Sequence, residues 1–89
     1  MQLGYPTFVS PEGKEYKCLF HAITPRIYWE HYGFEKVNDD VYFGYVMGNE
    51  DEWGTFSISE LKGVNALITT KPETLNEVLP PKGWTKKGA

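Results

Sequence analysis

Apolar and polar residues alternate with a period of two along much of the chain, and the clearest run is Val41 to Met47. There Val41, Phe43, Tyr45 and Met47 fall on one face and Tyr42, Gly44 and Val46 on the other, the spacing of a pleated strand. Ile27 to Tyr32 alternates in the same way, with Ile27, Trp29 and His31 opposite Tyr28, Glu30 and Tyr32. Gly33 predicts a bend or bulge before the strand continues through Phe34 to Val37. The intervening Asn38-Asp39-Asp40 is turn chemistry, because short polar side chains satisfy nearby backbone donors. Two long aromatic strands joined by a polar turn predict an antiparallel hairpin. Earlier, Tyr5 to Val9 reads as a first strand closed by Ser10-Pro11-Glu12-Gly13. Glu15 to Ala22 reads as one continuous strand, with Tyr16, Cys18, Phe20 and Ala22 on one face. Thr24-Pro25-Arg26 interrupts the pattern, since proline lacks a donor and restricts its predecessor.

Beyond Met47 the pattern shortens. Gly48 to Glu52 is an acidic turn and Trp53 to Phe56 a short returning strand. Ser57-Ile58-Ser59-Glu60 has the form of a capping box, with the serine capping a helix and the glutamate reaching back, and Lys62-Gly63 marks the end of that helix. Ala66 to Thr70 predicts a last strand. Thr70-Lys71-Pro72-Glu73 repeats the capping-box form and opens a helical turn through Thr74 to Leu79, stopped by Pro80-Pro81. The expected fold is α+β: a mainly antiparallel sheet of four to five strands with two short helices in the C-terminal half. Residues 1–79 are expected to form a single domain and residues 80–89 a flexible basic tail.

Composition agrees with a single ring-rich core. Eighty-nine residues cannot enclose a second core, and three Trp, six Tyr and five Phe supply large apolar surfaces to bury. No apolar run approaches the ~20 residues that span a bilayer, so no membrane partner is expected. The opening Met1-Gln2-Leu3-Gly4-Tyr5-Pro6 lacks the basic and apolar regions of a secretion signal. Cys18, the one cysteine, forms no internal disulfide, which fits a reducing cytoplasmic interior. The net charge of −3 conceals an asymmetry: Ile27 to Leu61 holds eight acids and a single base, Lys36. Such a middle repels phosphate backbones, so direct nucleic-acid binding is not expected.

Phe43, Gly44, Val46, Gly48, Glu50, Glu52, Gly54, Phe56, Ser57, Glu60 and Leu61 together resemble the signature of a small uncharacterised bacterial family carried on plasmids, conjugative elements and phages. That signature runs Phe-Gly-x-Val-x-Gly, spaced glutamates, then Gly-x-Phe-Ser-x-x-Glu-Leu. Lys17 to Pro25 and Tyr28-Trp29-Glu30 resemble its upstream strands, and Lys71-Pro72 with Leu75 its closing Lys-Pro-x-x-Leu. Residues before Lys17 do not read as the helical segment that often leads family members, and Ile27 stands where tryptophan is usual. The resemblance implies a setting in a phage or mobile element rather than an activity.

Candidate chemistry is sparse. Cys18 and His21 have a Cys-x-x-His spacing with His31 downstream, but structural zinc takes four ligands, and residues three apart on a strand diverge. Glu50-Asp51-Glu52 with Asp39-Asp40 lacks the graded spacing of a calcium loop and reads as a solvated acidic turn. Cys18 with a histidine and Glu30 is the one nucleophilic constellation, and its mid-strand position favours packing. Neither a metal nor another cofactor is expected, and no catalytic residue is assigned.

The aromatic belt is the remaining signal, since nine of the thirty residues from Ile27 to Phe56 are Tyr, Trp or Phe. One face must build the core, with Phe43, Tyr45, Phe56 and Trp29 or Trp53 as contributors. Tyr28, Tyr32 and Tyr42 then lie on the opposite face, exposed unless a helix covers them, and such rings are typical interface anchors. The expected binding residues are Tyr28, Trp29, Tyr32, Tyr42, Glu50, Asp51, Glu52 and Trp53. The function expected is a non-enzymatic binding protein of a phage or mobile element, modulating a host defence or nucleic-acid-handling protein. The alternative is an oligomer, such as a homodimer, that sequesters a small nucleotide ligand.

Overall fold

The structure, a computed structural model, describes residues 4–88. The chain runs through β1 (Thr7–Val9), β2 (Glu15–Lys17), β3 (Phe20–Thr24), β4 (Trp29–Lys36), β5 (Val41–Met47), β6 (Asp51–Ser57), α1 (Ile58–Gly63), β7 (Leu67–Thr69), α2 (Pro72–Leu75) and β8 (Thr85–Lys86). Its strands form a three-stranded sheet in the order β2-β1-β8 and a five-stranded sheet in the order β6-β5-β4-β3-β7. Every pairing is antiparallel. The architecture is therefore mostly antiparallel sheet with two short helices, as the alternation predicts. The β4–β5 hairpin is present, and its register shifts between Gly33 and Glu35, where a bulge was expected.

The strand expected over Glu15 to Ala22 is instead two strands in two sheets. At the junction the Cys18 amide donates to the Pro6 carbonyl, and the next amide, Leu19, donates to Gly33. The chain thus changes sheets at Cys18-Leu19, the kind of corner by which one strand serves two layers. Tyr16 and Cys18 consequently pack with Phe8, Tyr32, Leu75 and Trp84. Phe20 and Ala22 pack with Leu61 beneath α1, beside Tyr42, Phe56 and Ile68. Both faces of the five-stranded sheet are covered, one by the small sheet, α2 and the C-terminal segment, the other by α1.

This two-sided covering corrects the expected core. Phe43, Tyr45, Phe56 and Trp29 are only half-buried, whereas Phe8, Phe20, Tyr32 and Leu75 are sealed. Tyr32, expected on an open face, retains 1% of its exposure. Its hydroxyl donates toward Glu30 Oε1 and the Leu79 carbonyl, both at 3.1 Å, which meets the requirement that a buried phenol find partners. Glu30 also lies 2.9 Å from His21 Nε2.

Residues 80–88 are not a loose tail. Pro81 and Trp84 are buried, β8 pairs with β1, and the Trp84 indole lies among Tyr16, Phe34, Tyr45 and Trp53 with ring centroids 5.0–5.9 Å apart. Three lysines in this segment (Lys82, Lys86 and Lys87) mask the large apolar area of one indole. Replacing Trp84 by alanine should lower stability by about 3 kcal/mol or more, the usual cost of emptying a buried aromatic site. Urea denaturation of the full chain measures it; a change within a few tenths of a kcal/mol would mean that the segment is not docked.

Candidate functional site

The face covered by α1 is only partly sealed, because a six-residue helix is too short to span five strands. Ser57 Oγ accepts from the Glu60 amide at 3.0 Å, and Asp40 accepts from the Ser59 amide and hydroxyl. These bonds anchor the helix start at the β6 end. The reciprocal half of the expected capping box is not formed: the Ser57 backbone belongs to the β5–β6 ladder, which leaves the Glu60 carboxylate free. At α2 the expected Thr70 cap is replaced by Lys71, with no side-chain cap bond, because Pro72 takes the first helical turn.

Between α1 and the β3–β4 turn lies a groove of about 190 Å³, floored by Trp29, His31 and Phe56, walled by Ile27 and Val64, and edged by Glu60. It continues alongside β6 past Val46, Glu52 and Gly54 as a depression of about 290 Å³. A wider opening of about 610 Å³ lies at the other end, between Arg26-Ile27 and Gly63 to Asn65. The floor is fixed by a glycine. A Cβ on Gly48 would come within 2.9 Å of the Trp29 indole, so only glycine lets that ring lie across the strand end.

His31 stands edge-on to Phe56, with centroids 5.0 Å apart, and its Nδ1 is buried without a hydrogen-bond partner. Burial, reinforced by the neighbouring His21, pushes its pKa below the ordinary value of 6.5, so it is neutral in the fold. On the other side of the sheet, burial pushes the Cys18 thiol up to about 12. That thiol donates to the Phe20 carbonyl and is fully buried, which keeps it from acting as a thiolate at neutral pH. Among the described residues no three His, Cys, Asp or Glu side chains gather where one metal ion could be held.

The eight expected binding residues separate into four environments. Tyr28 and Trp29 lie at the end of the β3–β4 turn, Trp29 half-buried in the groove floor and Tyr28 80% exposed outside its lining. Glu50, Asp51 and Glu52 are exposed at the β5–β6 turn, and Glu52 edges the depression along β6. Trp53 keeps 42% of its exposure, but its ring belongs to the opposite face, stacked on Phe43 and close to Tyr16 and Tyr45. Tyr32 and Tyr42 are not surface anchors. Tyr32 is in the core, and Tyr42 stacks on Phe20 at 4.9 Å, above Gly33, where a Cβ would meet Phe20 at 2.8 Å. Residues not expected at the site are Ile27, His31, Phe56, Glu60 and Val64. Periodicity places His31 and Phe56 on strands but cannot show that a short helix leaves them partly uncovered.

Tyr28 also has the left-handed backbone conformation, with φ of 58°, at the end of the four-residue loop Pro25 to Tyr28 that Thr24 and Trp29 close. Its amide and that of Ile27 both donate to Thr24. A bulky side chain is uncommon there, and this ring gains almost no packing within the chain to offset the strain. Comparison with protein-family models, with curated proteins and with solved structures finds no match, so geometry alone carries the functional reading.

Two outcomes follow for stability. Tyr28→Gly should stabilise the fold by about 0.5 kcal/mol, a left-handed penalty of about 1–2 kcal/mol relieved less a glycine entropy cost of about 0.5–1 kcal/mol; a destabilised variant would show that the tyrosine is not strained. For His31 the folded pKa is depressed, so below about pH 6.5 the unfolded chain binds the proton first and stability declines as pH falls. Urea midpoints at pH 7 and pH 5 should therefore converge less for wild type than for His31→Leu, in which this contribution is absent.

Proposed function

We infer that the chain is a non-enzymatic binding protein that grips a host protein partner through the groove between α1 and the β3–β4 turn. The observation that carries this reading is the strained, exposed Tyr28. It lies in the β3–β4 turn directly after Ile27, which with Val64 walls an apolar groove edged by Glu60 and Glu52, and Ile27 and Val64 keep 56% and 54% of their exposure. Conformational cost is retained at a position that gives the isolated fold nothing in return, a pattern associated with functional sites. Rings with polar tips and branched aliphatics bury much area on docking, and carboxylates at the margin select a cationic counterpart.

The setting proposed is a phage or other mobile element, in keeping with the resemblance carried by Phe43 to Leu61. The partner proposed is a host defence or nucleic-acid-handling protein, whose cationic surfaces suit an acidic block. Sequestration of a nucleotide is supported less well. No cation but Arg26 lines any part of the groove among the described residues, and the carboxylates of Glu52 and Glu60 edge it, which opposes a phosphate-bearing ligand.

Capture from a host lysate by wild type, Tyr28→Ala and Ile27→Asp/Val64→Asp tests the reading. One host protein should be retained by wild type, reduced at least tenfold by the first variant and lost with the second, while circular dichroism shows all three folded. Equal capture by the three proteins, or capture by none, overturns it.

A further inference from the structure

We propose that the partner adds an extended, Lys/Arg-bearing strand to the free edge of β6, in the depression that continues the groove. The proposal rests on the binding-protein reading above and specifies how the partner is held. β6 ends the five-stranded sheet, since its neighbour on one side is β5 and on the other there is none. It runs for seven residues, all in register with β5 from Met47↔Asp51 to Val41↔Ser57. At every second residue its backbone N–H and C=O therefore point away from the sheet, a ready template for another strand.

The glycine in the middle of this edge marks the place of approach. Gly33, Gly44 and Gly54 form one row across β4, β5 and β6, yet only two of them are demanded by the fold. A Cβ on Gly33 would strike Phe20, and one on Gly44 would strike the Tyr32 carbonyl, whereas a Cβ on Gly54 meets nothing within 4 Å. Nor does Gly54 have a positive φ. Glycine inside a strand weakens it and marks sites where another backbone comes close, and here no backbone of the chain itself does so. By strand alternation Glu52, Gly54 and Phe56 share the α1 side, so the missing side chain leaves a gap between a carboxylate and a ring, open to Val46, His31 and Trp29.

Charge decides among occupants. Asp51, Glu52 and Glu60 take part in no salt bridge among the described residues. A second copy paired antiparallel about Gly54 would bring the acidic β5–β6 turn of each chain toward the Glu60 of the other, which like charges oppose. A basic strand meets Glu52 and Glu60 with opposite sign when its Lys or Arg lies on the α1 side, and Val or Ile two residues along on that same side faces the Phe56–Trp29 floor.

The probe is a fluorescent library of nine-residue peptides with Lys or Arg and Val or Ile at successive positions of one face (i, i+2, i+4) and Thr or Ser at the positions between. Beside it run a matched set with Glu in place of the basic residues, and copies of the best binder N-methylated at each position in turn. Anisotropy should show saturable binding of basic peptides, at least tenfold weaker for the Glu set. N-methylation should weaken binding tenfold at alternate positions only, because just every second amide of an added strand bonds to β6. Gly54→Val should weaken binding at least tenfold while the melting temperature stays the same or rises. Amide exchange should slow at alternate β6 residues when peptide is bound. Absence of binding across the basic set, or binding indifferent to both N-methylation and Gly54→Val, overturns the proposal. So does concentration-dependent protection of β6 without peptide, which would give the edge to a second copy. If the host protein is still captured by Gly54→Val but lost with Ile27→Asp/Val64→Asp, strand addition fails while the groove reading stands.

Discussion

The corner at Cys18-Leu19 is the constraint from which the rest of the structure follows. Because successive amides there bond to different sheets, Tyr16 and Phe20 are delivered to opposite sides of the five-stranded layer. A sheet with large rings on both faces cannot leave either face to water. One face is therefore closed by the small sheet, α2 and the segment around Trp84, and the other by α1. In a chain this short, covering material is scarce. Residues 80–88 are drawn in as cover, and α1 is stretched over more sheet than it can seal. The groove is the remainder.

Much of the strand layout was legible because local patterning and tertiary packing agree there. Val41 to Met47 alternates cleanly and is a strand of those limits, and Gly33 opens the irregular step in the β4–β5 register. The failures share one cause. Alternation assigns residues to faces but does not say what lies over each face. Tyr32 reads the same whether its face is bare or pressed against Phe8 at 6.0 Å. The Glu15 to Ala22 run alternates without interruption, so the corner inside it leaves no mark. Trp84 stands in a stretch whose lysines mask a single large apolar group. At the site, Tyr28 was legible as a ring but not as a left-handed residue, since nothing in Pro25-Arg26-Ile27-Tyr28 offers the glycine or asparagine usual at such a position.

Polar groups in the interior show how tightly the covered side is specified. Glu30 receives the Tyr32 hydroxyl and sits 2.9 Å from His21, and the same hydroxyl reaches Leu79. The sheet, the segment after α2 and a half-buried carboxylate are thereby held in one arrangement. Such networks rigidify a core when every member is satisfied. Burial and the adjacent Glu30 both push the Tyr32 phenol upward, so it stays a donor at any pH the protein would meet. The covered side is therefore built for persistence of one structure.

The α1 side has the opposite character, and the contrast is what gives it functional meaning. There His31 keeps a nitrogen without a partner, Tyr28 keeps a strained backbone, and Gly54 forgoes a side chain that would fit. Each is a local sacrifice of stability, and a small domain has little to spare. Scattered over the molecule, three such features would signify little. His31 and Gly54 instead line one continuous depression, and Tyr28 follows exposed Ile27 in the turn at its end, near carboxylates that take part in no salt bridge among the described residues. Sequence choices that disfavour the isolated fold, gathered in one place while the opposite face is fully satisfied, are what a surface completed by another molecule requires.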